Sequence, residues 1–155
     1  MEIIYGDRGI SLYLSKIKKG RYIIMTIEAI RKLVNNMSKE ANLAWHAAIR
    51  TFGDDSTIAE VRASRWIAIS NYNDDVNIMF YDGKEPELWE ALEALDNAIQ
   101  EAMETLKGFI ELTLHNPSND NKLKILKYRA ELDALMCIKS ELTLLEAYEL
   151  EGMEY

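Results

Sequence analysis

The apolar positions of the second half of the chain fall into two long helical stripes. Leu88, Leu92, Leu95, Ile99, Ala102, Leu106, Phe109 and Thr113 follow an alternating spacing of four and three, which keeps them on one face of a helix. Ala91, Ala94 and Ala98 form a small-residue ridge beside that stripe, where another helix could approach closely. Pro86 suits a first helical turn, and Glu87, Glu90 and Glu93 follow it, where they complement the helix dipole. The run His115-Asn116-Pro117-Ser118-Asn119-Asp120 ends this helix, because the residue before a proline is pushed out of the α region. Asn119 or Asp120 then caps the next one. The final helix carries Ile125, Tyr128, Leu132, Leu135, Leu142 and Leu145 on one stripe. Around Leu132–Ile138 only Asp133 is polar, so this helix is covered on several sides. The pattern predicts an antiparallel hairpin over about 86–151, with arms of about 30 residues and thus about 45 Å.

The first half is patterned less simply. Ile23, Ile27, Ile30, Val34, Met37, Ala41, Ala44, Ala48 and Phe52 keep heptad-like spacing through Asn35-Asn36-Met37-Ser38. With Gly20 before and Gly53 after, this favours one helix over about 21–52. The rival is two helices with Ser38 as the second N-cap. A shorter helix, opened by a capping box at Thr57-Ile58-Ala59-Glu60, runs to about Ser70. Alternation at 2–5 and at 76–81, the second closed by Asp82-Gly83, predicts a small β element, and 66–81 could form a hairpin. Residues 10–19 fit either type, with helix preferred: Ile10, Tyr13, Leu14 and Ile17 share a helical face, whereas Ile10, Leu12 and Leu14 alternate. The expected fold is a mainly α helical bundle built on the C-terminal hairpin. It occupies residues 1–155 as a single domain, with a mixed part at about 1–82 followed by the hairpin at about 86–151.

Composition narrows the class. Apolar residues make up 48 % of the 155 and charged residues 28 %, as in an ordinary folded domain. Cys137 is the one cysteine, so an intrachain disulfide framework is excluded. The absence of a long apolar run points to a soluble, cytoplasmic protein without a membrane partner. Charge adds an asymmetry to the net −8: residues 1–68 hold 11 Lys/Arg and 7 Asp/Glu, residues 69–155 hold 7 and 19. Lys16, Lys18, Lys19 and Arg21 form one basic group, with Arg62 and Arg65 another. Folding the hairpin at Ser118 brings Glu87, Glu90 and Glu93 toward Glu146 and Glu149, which concentrates negative charge at one end.

Candidate chemistry is sparse. Phosphate-binding and dinucleotide glycine motifs are absent, as is C-x-x-C. A carboxylate metal centre in a helical bundle needs Glu-x-x-His pairs, but Leu43 and Leu112 stand three residues before His46 and His115. His46 reads as a flank histidine, His115 as a helix-terminal cation and Cys137 as an inert core thiol. Asn71, Asn73, Asp75 and Asn77 with Asp82 approach calcium-loop spacing, yet Val76 stands where the loop requires glycine. A winged-helix order is also imitated, but its wing at 71–75 is acidic where it would meet phosphate.

The expectation is therefore a non-enzymatic assembly or binding protein, without cofactor or metal, acting through helix–helix association with itself or another protein. Leu132, Leu135, Leu142 and Leu145 are the interface candidates. One alternative is a nucleic-acid-associated subunit contacting phosphates through Lys16, Lys18, Lys19, Arg21, Arg62 and Arg65. A further alternative is an acidic inhibitor whose Glu87, Glu90, Glu93, Glu146 and Glu149 occupy a basic groove.

Overall fold

The computed structural model describes residues 26–83 and 85–151. These form four helices, α1 (Ile27–Phe52), α2 (Thr57–Ile78), α3 (Leu88–His115) and α4 (Asn119–Glu151), with a 3₁₀ turn at Tyr81–Gly83. The protein is a mainly α helical bundle, and no strand occurs among the described residues. The segment 2–5 and residues 10–19 lie outside them.

Helix α1 begins after Thr26, whose extended backbone lets its hydroxyl accept the Ala29 N–H at 3.1 Å. It ends where Gly53, at φ +89°, donates its N–H to Ile49 O at 2.9 Å. Between these caps the helix passes through Asn35–Ser38 without a break. Ser38 is not an N-cap: its hydroxyl is 2.9 Å from that of Ser70 and joins α1 to α2. The buried residues Ile27, Ile30, Leu33 and Val34 give way to Ala41 and Ala48, which let α1 lie close to its neighbour.

Three expectations for α2 are corrected. Its N-cap is Ser56, accepting the Ala59 N–H at 3.1 Å, so Thr57 is already helical and the capping box at Thr57–Glu60 does not form. The helix also continues past Ser70 to Ile78. Neither a strand at 76–81 nor a hairpin at 66–81 exists, and the Asn71–Asn77 run is helix rather than an ion-binding loop. Packing decides this: Ile69, Tyr72 and Val76 recur at helical spacing and are all but inaccessible, while Ile78 is 55 % exposed. The alternation that suggested a strand has only one deeply buried member.

In α3 the N-cap is Glu87 rather than the Pro86 region, and its N–H donates to the Glu90 carboxylate at 2.7 Å. Ser118, not Asn119 or Asp120, caps α4 by accepting the Asn121 N–H at 3.1 Å. The Asn121 amide donates to Asn116 O at 2.8 Å, so the short connection around Pro117 is strapped from inside.

α1 packs on α2, α2 on α4 and α4 on α3, with α2 touching α3 more lightly. α2 and α4 are thus the inner helices of the row, with α1 and α3 at its ends. Lys139 reaches Asp96 at 2.7 Å and Tyr128 stacks on Phe109 at 4.7 Å, so α3 and α4 run antiparallel. Ile30, Val34, Ile69, Tyr72, Leu95, Ile138 and Leu145 form the inaccessible centre of one continuous core.

Candidate interaction surfaces

Two features of the α3–α4 half stand out. The first is the end nearest the connection at 116–118. In α3 the buried residues are Ala91, Leu95 and Ile99, and none follows Ile99. The apolar stripe continues as Ala102, Leu106, Phe109 and Thr113, facing Ile125, Tyr128 and Leu132, but each is only half-buried. The Lys124 ammonium lies 5.5 Å from the Phe109 ring centroid, a cation–π contact that covers part of that ring. On the outer side Met103, Ile110 and Leu114 share a face of α3, and Leu114 is 78 % exposed. Leu112 and Leu126 are also exposed. Among the described residues, no third helix covers the two here.

The second feature is a cleft of about 760 Å³ between α2, α3 and α4. Ala68, Ala98, Ala102 and Leu135 supply apolar wall, and Asp74, Asp75, Glu101, Glu104 and Glu131 line it with carboxylates. Among the described residues, no lysine or arginine lines it. Burial, reinforced by neighbouring Asp74, raises the Asp75 pKa above the ordinary carboxylate value. Burial likewise raises that of Glu131, an effect that nearby Lys127 partly opposes. Tyr72 also borders the cleft; its hydroxyl donates to Ala91 O at 2.7 Å.

On the opposite face, between α1 and α2, Trp45 stacks on both His46 (4.9 Å) and Trp66 (5.0 Å). Among the described residues no group of three or more His, Cys, Asp or Glu side chains is arranged to hold a metal ion. No helix among them is long and apolar enough to cross a membrane.

The residues singled out by sequence distribute unevenly over this frame. Lys16, Lys18, Lys19 and Arg21 lie outside the described residues. Arg62 is exposed but engaged, donating to Ala44 O at 3.0 Å, and Arg65 is half-buried. Leu135, Leu142 and Leu145 are buried in the chain's own core, and Leu132 is half-buried beside them. They are consumed in holding α4 in place, so they are not an open face for a second molecule. Glu87 and Glu90 are joined in the α3 cap, and Glu93 and Glu146 are exposed. Glu149 falls in the last turns of α4. Lys139, paired with Asp96, brings a cation to the same wall as Glu146. His115 is in the last turn of α3, and Cys137 is half-buried rather than enclosed.

Sequence reasoning missed the cleft. Its acidic residues come from three helices and are not neighbours in sequence. The signal was present in α2, since Asn71, Asp74 and Asp75 share a face once that segment is helical. Reading it as a turn and strand hid this.

No protein-family model, curated protein or solved structure matches this chain.

Proposed function

We propose that this protein is an assembly component that pairs with a second copy of itself through the uncovered end of α3 and α4. The observation that carries the reading is the half-buried stripe beyond Ile99 together with exposed Met103, Ile110 and Leu114 on the outer face of α3. Apolar area left open on a two-helix arm is stabilised by covering it, at about 25 cal/mol per Å². Another such arm completes a four-helix arrangement of the same packing type.

Charge favours a second copy as the occupant. The chain as a whole carries −8, which opposes self-association in general. Residues 100–130 instead hold Lys107, Lys122, Lys124, Lys127 and Arg129 against Glu101, Glu104, Glu111 and Asp120, close to balance. A two-fold pairing brings the same patch of each copy together, and a mixed patch is compatible with itself where a single-sign one is not. This moves the association surface from Leu132–Leu145 to the arm's free end.

Sedimentation or light scattering tests it. The full chain is expected at twice its 17.8 kDa mass at micromolar concentration. Ile110→Glu with Leu114→Glu should return it to monomer mass with the helical circular dichroism unchanged, because both side chains are exposed. A wild-type chain that stays monomeric up to hundreds of micromolar, or a variant that stays dimeric, overturns the reading.

A further inference from the structure

We propose that the acidic cleft between α2, α3 and α4 is the docking site for the basic amphipathic segment 10–21 of the same chain. Three independent observations converge on this occupant. The first is the cleft's composition: carboxylates of Asp74, Asp75, Glu101, Glu104 and Glu131 surround an apolar wall, with no cation lining it among the described residues. Five carboxylates around one hollow concentrate negative charge there; burial raises the pKa of Asp75, with Asp74 on the same helix adding to it, and burial raises that of Glu131. A cationic occupant offsets that charge, and one with an apolar side also covers Ala98, Ala102 and Leu135.

The second observation is that the chain contains one segment with that pairing of properties. Lys16, Lys18, Lys19 and Arg21 supply four cations in six positions, and Ile10, Tyr13, Leu14 and Ile17 supply apolar residues at helical spacing. The remaining basic groups do not combine the two. Arg62 is held on Ala44 O, and Lys122, Lys124, Lys127 and Arg129 belong to α4 itself.

The third is where the described chain starts. The first turns of α1 lie against the C-terminal end of α2: Arg31 donates to Asn77 Oδ1 at 2.7 Å, and its guanidinium sits 4.5 Å over the Phe80 ring. Asp74 and Asp75 are within one turn of Asn77 on α2. Thr26 therefore opens α1 next to the helix that carries two of the cleft's carboxylates. Arg21 is five positions before Thr26, enough to span about 17 Å when extended, and Lys16 is ten positions before it. The closure entropy of so short a connection is small.

Carbodiimide cross-linking of the full chain tests this, since it joins an amine directly to a carboxylate in contact with it. Equal amounts of unlabelled and ¹⁵N-labelled protein are mixed before reaction, and the links are mapped by mass spectrometry. The same experiment is run on the Ile110→Glu/Leu114→Glu chain, so that failure of self-association through α3 and α4 does not affect the outcome. Links from Lys16, Lys18 or Lys19 to Asp74, Asp75, Glu101 or Glu104, within one isotopic species, are the expected result. Mixed-isotope links would make a second copy the occupant. Links mainly to Glu87, Glu93 or Glu146, or none from these lysines, would place the segment elsewhere. Either result overturns the proposal. A second readout is charge reversal. Lys16→Glu, Lys18→Glu and Lys19→Glu together should lower Tm by about 2–4 °C. Adding Glu101→Lys and Glu104→Lys should restore at least half of the loss. A triple variant with unchanged Tm, or no restoration, also overturns it.

Discussion

Tyr72 shows at the scale of one residue how a polar atom is placed inside this core. Its ring is 2 % exposed, and its hydroxyl is satisfied by Ala91 O at 2.7 Å, which links α2 to α3. Burial is the main reason that its phenol resists ionisation, with Asp75 and Asp96 adding to the effect. In the unfolded chain the group ionises near its ordinary pKa of 10.0, so the unfolded state alone gains from alkaline pH. Stability is therefore lost as pH rises above about 10, and Tyr72→Phe should remove part of that loss. At neutral pH the same change should cost about 1 kcal/mol, the net value of a hydrogen bond, read from denaturant unfolding. The carboxyls of Asp75 and Glu131 act with the same sign but at acid pH. Raised folded pKa values mean that the folded state holds more protons as pH falls below neutral. These groups therefore favour folding as pH drops through their raised values and oppose it as pH rises. Asp75 faces Asp74 on its own helix and Glu101 and Glu104 across the cleft, while Glu131 also feels Lys127. Asp75→Asn with Glu131→Gln should raise Tm at pH 7 and flatten its fall as pH rises above the ordinary carboxylate range, measured by thermal unfolding from acid to neutral pH.

Elements were legible wherever one face carried an uninterrupted apolar rhythm. Helices α3 and α4 follow from their spacing, and α1 from the persistence of Ile30, Val34, Ala41 and Ala48 through a polar stretch that would otherwise suggest two helices. The boundaries were less legible, because Ser56, Glu87 and Ser118 compete with equally good neighbours as caps, and only the path of the incoming chain selects one. α2 was misread beyond Ser70 because Val76, Ile78 and Phe80 alternate. Its helical periodicity becomes visible only when Ile69, Tyr72 and Val76 are seen to share one buried side. The inward leucines of α4 can be separated from the exposed face by experiment. Leu135→Glu with Leu142→Glu places two carboxylates in the core and should unfold the protein outright, since the cost exceeds about 4 kcal/mol against a total of about 5–15. Loss of the far-ultraviolet helical signal would distinguish this from the folded monomer expected of the Ile110→Glu/Leu114→Glu variant.

At the scale of the whole molecule, the sequence by itself determined the class of fold and the placement of its long helices. Local periodicity and capping chemistry are properties of short windows, and they survive without knowledge of the partners. The charge imbalance between the two halves was also legible, being a matter of counting. Tertiary structure decided what each helix face is for. Leu135, Leu142 and Leu145 form an apolar stripe of the same kind as the one beyond Ile99, yet only the row order α1–α2–α4–α3 buries the first and leaves the second half-covered. The cleft is likewise a product of three helices meeting, with Asp74 and Asp75 brought against Glu101, Glu104 and Glu131 across 26 to 57 positions of sequence. Periodicity tells a helix which side is apolar, but burial depends on how many neighbours the fold supplies to cover it.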